Sequence, residues 1–322
     1  VTASSAILSA DTAARFAGQR ILLTGASGFL GRHIARQAVA AGAEIHALGR
    51  RAGPAGTRLH VADLTDAEAV RRVVAEVAPA AIIHCAAPGV AYGLMSLDAM
   101  LAVTVGGTAA LYAAAAVLTQ PPVVIHVGSG FEYAPSGAPV AEDWPIVPSG
   151  SLYGAAKAAS AAVAGAYADR LRIMLLRPFQ IYGAGEAARR LGPMLIAKAR
   201  AGERVELTAG EQRRDFLHVD DCASCMWTAL AKASEAAGIT TLNIGSGTAI
   251  SLRQFIEAVA DELRRHGFAP DLALGALPYR AGEPMASLPD TSRLAATLGW
   301  RPRISLAQGI ADLVAAEFAR CA

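Results

Sequence analysis

The chain has 322 residues, enough to bury a full core and to form one large domain or two closely joined ones. Apolar residues make up 53% and charged ones 17%. The net charge of +2, with acids and bases interspersed, gives no reason to expect a nucleic acid or an acidic membrane surface as partner. Much of the apolarity is Ala, and no uncharged apolar run approaches the roughly 20 residues of a membrane helix, so no membrane span is expected.

The first 17 residues lack a basic segment followed by an apolar stretch, and are read as an arm or a short leading helix rather than a signal peptide. Arg20 to Thr24 is a short apolar run that ends at glycine, a buried-strand signal. Helical spacing follows from Gly31 to Ala41, then strands at Glu44–Leu48 and Arg58–Ala62, a helix over Asp66–Ala78 and a strand at Ala80–His84. A long Ala-rich helix is predicted over Ala99–Leu118, a strand over Val123–Val127, a second Ala-rich helix over Gly154–Leu171 and a strand over Ile173–Leu176. Strands alternating with helices imply right-handed crossovers and a parallel sheet covered on both faces.

Beyond Arg177-Pro178 the texture changes to short elements among Gly, Pro and charged residues. His218–Ala233 and Thr241–Ile244 still read as sheet-and-helix units. The tail from Leu252 holds two helices around an irregular stretch, Ala269–Pro289. The expected fold is α/β, a Rossmann-type doubly wound parallel sheet with a smaller C-terminal substrate-binding lobe. The dinucleotide-binding part takes residues 18–178 and about 216–247. The lobe takes 179–215 and 248–322. The Pro- and Gly-rich segment from Gly128 to Gly150 is a long loop of the kind that carries function.

Gly25-x2-Gly28-x2-Gly31 lies between a strand and a helix, the context a dinucleotide loop requires. Gly25 permits the turn, Gly28 lets backbone N–H groups reach a pyrophosphate, and Gly31 lets helix and strand pack closely. Ser27, Phe29 and Leu30 complete the loop. At the end of the second strand, where NAD sites usually place a carboxylate, the chain has Arg50 and Arg51. Guanidinium forks match phosphate geometry, so NADP(H) is favoured over NAD(H). Asp63-Leu64 is placed to meet the adenine amine. Tyr153 and Lys157, four apart, share one helix face, where the ammonium can favour the phenolate.

Four cysteines, Cys85, Cys222, Cys225 and Cys321, are too few for a disulfide scaffold and suit a reducing cytoplasm. Cys222 and Cys225 have C-x2-C spacing, yet no second ligand pair lies near and the segment reads as helix. A structural role is expected, with redox or metal use as the alternative.

These pieces, in this order, resemble the extended short-chain dehydrogenase/reductases of the nucleotide-sugar epimerase/dehydratase/reductase group, from about Gly18 to Phe318. They are Thr24 to Gly31, Asp63-Leu64, Ile83 to Ala87, Val105 to Thr108, Gly128-Ser129, Tyr153 to Lys157, Arg177 to Gly183, Arg214 to Asp221 and Asn243 to Gly245. The resemblance implies that Ser129 holds the substrate oxygen and that Tyr153 is its acid/base. Lys157 would hold the nicotinamide ribose and depress the Tyr153 pKa. It further implies that Ala86, Ala87, Pro88, Thr104 and Pro178 border the cofactor. Ser129, Gly130, Phe131, Gln180, Arg214 and Arg280 would meet a nucleotide-diphosphate sugar, the two arginines at its diphosphate. A homodimer through the two Ala-rich helices is also implied.

Three departures from that pattern matter. The 4,6-dehydratases of the group carry an acid two positions after the Ser/Thr, where this chain has Phe131. Glu132 is one residue further and is expected to point elsewhere. The group's Asn before Val-x-Gly-Thr is Thr104, and the Asn of its Arg-Pro-x-Asn is Gln180. Elimination of water is therefore disfavoured. The expectation is a 4-ketoreductase of an NDP-4-keto-6-deoxyhexose. The alternatives are an NAD-dependent NDP-sugar 4-epimerase, a non-sugar carbonyl reductase and a non-catalytic dinucleotide sensor.

Overall fold

The computed structural model describes residues 8, 10–88, 96–148, 150–233 and 238–320. Cys321 and most of the leading arm lie outside these residues. The chain begins with α1 (Ala10–Phe16), β1 (Arg20–Thr24), α2 (Phe29–Ala40), β2 (Glu44–Gly49), β3 (Thr57–Val61), α3 (Ala67–Val77) and β4 (Ala81–His84). It continues through α4 (Leu97–Leu101), a π-helical turn (Ala102–Gly106), α5 (Gly107–Ala116), β5 (Val123–Val127), α6 (Leu152–Gly165) and β6 (Arg172–Pro178). Then come β7 (Gln180–Tyr182), α7 (Leu191–Ala201), β8 (Val205–Leu207), β9 (Arg213–His218), α8 (Val219–Ala233), β10 (Ile239–Ile244) and β11 (Ala249–Ser251). The tail holds α9 (Leu252–Arg265), β12 (Leu272–Leu274), β13 (Ala286–Ser287), α10 (Ser292–Leu298) and α11 (Leu306–Arg320).

Seven parallel strands form the main sheet in the order β10-β6-β5-β4-β1-β2-β3. Ile21, Leu22 and Leu23 are fully buried, as a strand covered on both faces requires. Odd and even positions feed different cores. Ile21 and Leu23 pack beneath α2 and α8, whereas Leu22 packs with Val70, Val74 and Leu111 from α3 and α5. Truncating Leu23 to Ala removes about 2–5 kcal/mol. Thr24 is in register with His84, His84 with His126, and Val127 with Leu176. The loops after β1, β4, β5 and β6 therefore leave from one edge of the sheet, the carboxyl edge where ligands of open α/β sheets bind.

A second sheet combines β11, β9 and β13, with β7 also paired to β9. Its core packs Tyr182, Phe216 and Phe255 with Ile196, Val259 and Leu313. Asp215 ties this sheet to the end of β10 by accepting from Ser246 N at 2.6 Å and Gly247 N at 2.7 Å.

Three sequence expectations need correction. The helix expected over Gly154–Leu171 ends at Gly165, because residues 166–170 turn back to enter β6 at Arg172. The tail has three helices rather than two, since α10 follows the irregular stretch. The helix running from Leu97 to Ala116 is long and apolar enough to cross a membrane by length and composition, against the expected absence of such a run. Its Leu111, Tyr112, Ala114 and Ala115 are buried in the core beneath the sheet.

Candidate active site

The Gly25–Gly31 loop is a cradle that side chains would fill. Gly25 has φ +76°, and a Cβ there would lie 2.9 Å from Ala86 N. A Cβ at Gly31 would lie 2.1 Å from the carbonyl oxygen of Gly25, so helix α2 comes this close only through glycine. Gly28 is the N-cap of α2 and no side chain caps the helix, which leaves the first-turn N–H groups to a ligand. An anionic pyrophosphate fits this donor set.

Beside the loop, a buried chain of hydrogen bonds fixes the end of β4. Thr108 Oγ1 donates to Thr104 O at 2.6 Å, so it accepts from His84 Nε2 at 2.9 Å. His84 Nδ1 is then the acceptor for Thr24 Oγ1 at 2.7 Å, and Thr24 Oγ1 accepts from Ala86 N at 3.1 Å. Burial pushes the His84 pKa down to about 3, which keeps the ring neutral for these roles. Ala86 is thereby held against Gly25.

The loop opens into a cleft of about 400 Å³. Gly25, Gly28, Phe29, Leu30, Gly31, Arg51, Ala86, Ala87, Ser129, Phe131, Tyr153, Lys157, Pro178 and Gln180 all line it. Gln180 continues with Arg214 and Arg280 into an adjoining pocket of about 600 Å³. Gly130 lines a small side chamber with Phe131, Gln180 and Arg214. Ser27, Arg50, Asp63, Leu64, Pro88 and Thr104 stand outside these linings. Ser27 offers its carbonyl to Arg32, and Leu64 is buried against Gly107. Asp63 Oδ1 accepts from Thr65 N and Oγ1, and Asp63 Oδ2 faces Arg50 at 3.8 Å. Thr104 is buried in the π-helical turn, and its hydroxyl has no protein partner among the described residues. Arg214 donates to the carbonyls of Arg213 and Pro284, at 2.9 and 2.8 Å.

Ser151 caps α6 by accepting from Gly154 N at 2.9 Å, and the helix carries Tyr153 and Lys157 on one face into the cleft. Tyr153 is hydrogen-bonded to Ser129. Lys157 Nζ donates to Val127 O at 2.7 Å. The expected depression of the Tyr153 pKa is not what this arrangement produces. Burial of the hydroxyl pushes it up, and Cys85 and Glu132 push the same way. The bond to Ser129 and the charge of Arg190 oppose them without prevailing. Burial also pushes the Lys157 pKa down. The Tyr153 hydroxyl therefore keeps its proton near neutral pH.

Glu132 does point away from the cleft, accepting from Ser129 N and Arg177 Nε, each at 2.7 Å. Sequence reasoning missed Cys85, Phe179, Glu186, Arg189 and Arg190, which also line the cleft. Glu186 is buried and accepts from Arg190 Nε at 3.0 Å. The charged run after Gly183-Ala184-Gly185 was the available signal. Cys222 and Cys225 lie buried on α8, where burial pushes both thiols up.

The profile of the NAD dependent epimerase/dehydratase family matches residues 21–245. A UDP-glucose 4-epimerase of Mycolicibacterium smegmatis is 30% identical, over 94% of this chain and 98% of its own length. A dTDP-6-deoxy-L-talose 4-dehydrogenase (NAD(P)(+)) of Kitasatospora kifunensis is 28% identical, over 95% of this chain and 98% of its own. The structure of MoeE5 in complex with UDP-glucose and NAD superimposes with a TM-score of 0.79 at 28% identity, covering 94% of this chain and all of that one.

Proposed function

The chain belongs to the NAD-dependent epimerase/dehydratase family and is an NAD(P)-dependent nucleotide-sugar oxidoreductase or epimerase, and we propose that it is a 4-ketoreductase of an NDP-4-keto-6-deoxyhexose. The observation that carries reductase over epimerase is Arg51 in the cleft, after the acid inventory has argued against dehydration. Among the described residues lining it, Glu186 is the only acid, and Arg190 holds it. Phe131 stands where a dehydratase has its acid. Among the described residues, the cleft lining offers a proton donor for one oxygen and no free carboxylate to drive elimination of water.

Bound nicotinamide would supply the hydride. The loop N–H groups of α2 would hold its pyrophosphate and Lys157 its ribose. Ser129 Oγ holds the sugar carbonyl oxygen, and Tyr153 delivers its proton to that oxygen as the carbinol forms. The Tyr153 hydroxyl carries its proton at neutral pH, so the proton that the carbinol needs is present on it. Gln180, Arg214 and Arg280 border the pocket that suits the nucleotide diphosphate.

A reductase must exchange its cofactor. Arg51 in the cleft, with no carboxylate at the end of β2, supports NADP(H). We also propose a cytoplasmic homodimer joined through α4–α5 and α6, where Leu97, Leu101 and Leu152 are exposed. A screen of NDP-4-keto-6-deoxyhexoses for sugar-dependent NADPH oxidation tests the reading. Cofactor that survives gel filtration, with 4-epimers interconverting, would support the epimerase instead.

A further inference from the structure

Glu132 is the least exposed carboxylate near the reaction centre, at 0%. It closes the turn Gly130–Glu132 directly after Ser129. One oxygen accepts from Ser129 N at 2.7 Å and the other from Arg177 Nε at 2.7 Å. Arg177 reaches the turn from the end of β6. Its Nη1 donates to Tyr133 Oη at 2.9 Å, and its guanidinium carbon lies 4.7 Å from the Tyr133 ring centre. Tyr133 Oη donates to Asn243 Oδ1 at 2.7 Å, and Asn243 N donates to Glu142 Oε1 at 2.8 Å. Arg293 closes the series 3.3 Å from Glu142 Oε2. Gly128 makes the room, since a Cβ there would lie 2.5 Å from Glu132 Oε1.

A buried ion pair is a poor source of stability, because desolvation offsets the attraction. Its value here is directional. Ser129 Oγ accepts from Phe131 N at 3.2 Å within the turn that Glu132 closes, so that turn sets where the hydroxyl points. We propose that Glu132 is a positioning residue for the reaction, fixing Ser129 so that its hydroxyl meets Tyr153 and the substrate oxygen, with Arg177 as its counter-ion. The proposal rests on the reading of Tyr153 as proton donor to a sugar oxygen. It also gives the carboxylate a second effect. The groups around Tyr153 are Cys85 after β4, Arg190 before α7, Ser129 after β5 and Lys157 one turn along α6, with the Glu132 carboxylate behind Ser129 acting through its charge. Glu132 is a negative charge among them, and with Cys85 it acts against the phenolate.

The amide of Glu132→Gln has one acceptor oxygen for two N–H donors, so one bond is lost at unchanged volume. On the cofactor-loaded enzyme, kcat is expected to fall about 10- to 100-fold, the scale of a displaced catalytic group. KM should stay within about two-fold, since the nucleotide-diphosphate pocket at Gln180, Arg214 and Arg280 is untouched. The rise of the reverse oxidation with pH should move to lower pH, because a negative charge near Tyr153 is gone. In a Ser129→Ala background, Glu132→Gln should cost less than about three-fold, since the two act as one unit. Costs that multiply instead would overturn the proposal. If Glu132→Gln does not fold, Glu132→Asp carries the test. It keeps the charge but cannot span both donors, so kcat falls while the pH rise of the reverse oxidation stays put, and an unchanged kcat overturns the proposal. A wild type inactive on every NDP-keto-sugar would count against the functional reading alone. A crystal structure of Glu132→Gln then decides: loss of the Ser129–Tyr153 bond supports positioning, and its retention contradicts it.

Discussion

The ammonium of Lys157 is anchored on Val127, donating to its carbonyl oxygen at 2.7 Å at the last residue of β5. Ser129 follows two residues later, so sheet and helix α6 are joined at the point where the catalytic loop begins. Lys157→Met leaves that buried carbonyl without its donor, at a cost of about 1–3 kcal/mol. Thermal melting should show the loss. Titration with NADPH should show cofactor affinity weakened about ten-fold or more, the worth of a charge-assisted hydrogen bond.

Tyr153→Phe removes the proton donor and keeps the ring beside Phe131. Reduction should slow by about 10²- to 10⁴-fold, with nucleotide-sugar binding little changed by calorimetry. The pH dependence of the wild type follows from the raised Tyr153 pKa. The protonated donor persists as pH rises, so kcat for reduction should be flat from neutrality into the alkaline range. The reverse oxidation needs the phenolate and should rise across the same range. A reduction rate that declines already through pH 7 would contradict the assignment of Tyr153 as the acid.

His84 makes stability fall in acid. Its folded pKa is pushed down to about 3, while the unfolded chain titrates near the ordinary histidine value of about 6.5. The stabilisation is present above about pH 6.5 and is lost as pH falls toward 3, because only the unfolded chain takes up the proton. Between pH 6.5 and 5 this amounts to about 2 kcal/mol from His84 alone. Buried His126 acts in the same direction. Urea unfolding at the two pH values should show the drop, and His84→Gln should flatten it.

Arg51 lines the cofactor cleft, whereas Arg50 is 77% exposed and faces Asp63. Arg51→Ala should raise KM for NADPH about ten-fold and leave NADH nearly unaffected, as expected for loss of one phosphate contact. Arg50→Ala should have the smaller effect. Equal loss for both cofactors would place Arg51 away from a 2′-phosphate.

The parts of the site readable from sequence were those set by local chemistry. Glycine spacing between a strand and a helix announces a close backbone approach, and the four-residue step from Tyr153 to Lys157 is a helix repeat. What escaped depends on distant pairing. Glu132 meets Arg177 across 45 positions, and Arg190 reaches the cleft only because the loop after β7 folds over it. The π-helical turn at Ala102–Gly106 leaves no mark in a run of small residues. The Tyr153 pKa direction was missed because burial, which a sequence does not display, outweighs the lowering by Ser129 and Arg190.

The central claim is hydride delivery to a 4-keto carbon from an exchanging cofactor. The direct measurement uses NADPH deuterated at the transferred position, with an NDP-4-keto-6-deoxyhexose as substrate, read by mass spectrometry and NMR of the product. The account predicts one deuterium at C4 of the sugar and one NADPH consumed per carbinol formed, both lost in Tyr153→Phe. Interconversion of 4-epimers with no net NADPH consumption and no deuterium gained from free cofactor would contradict it.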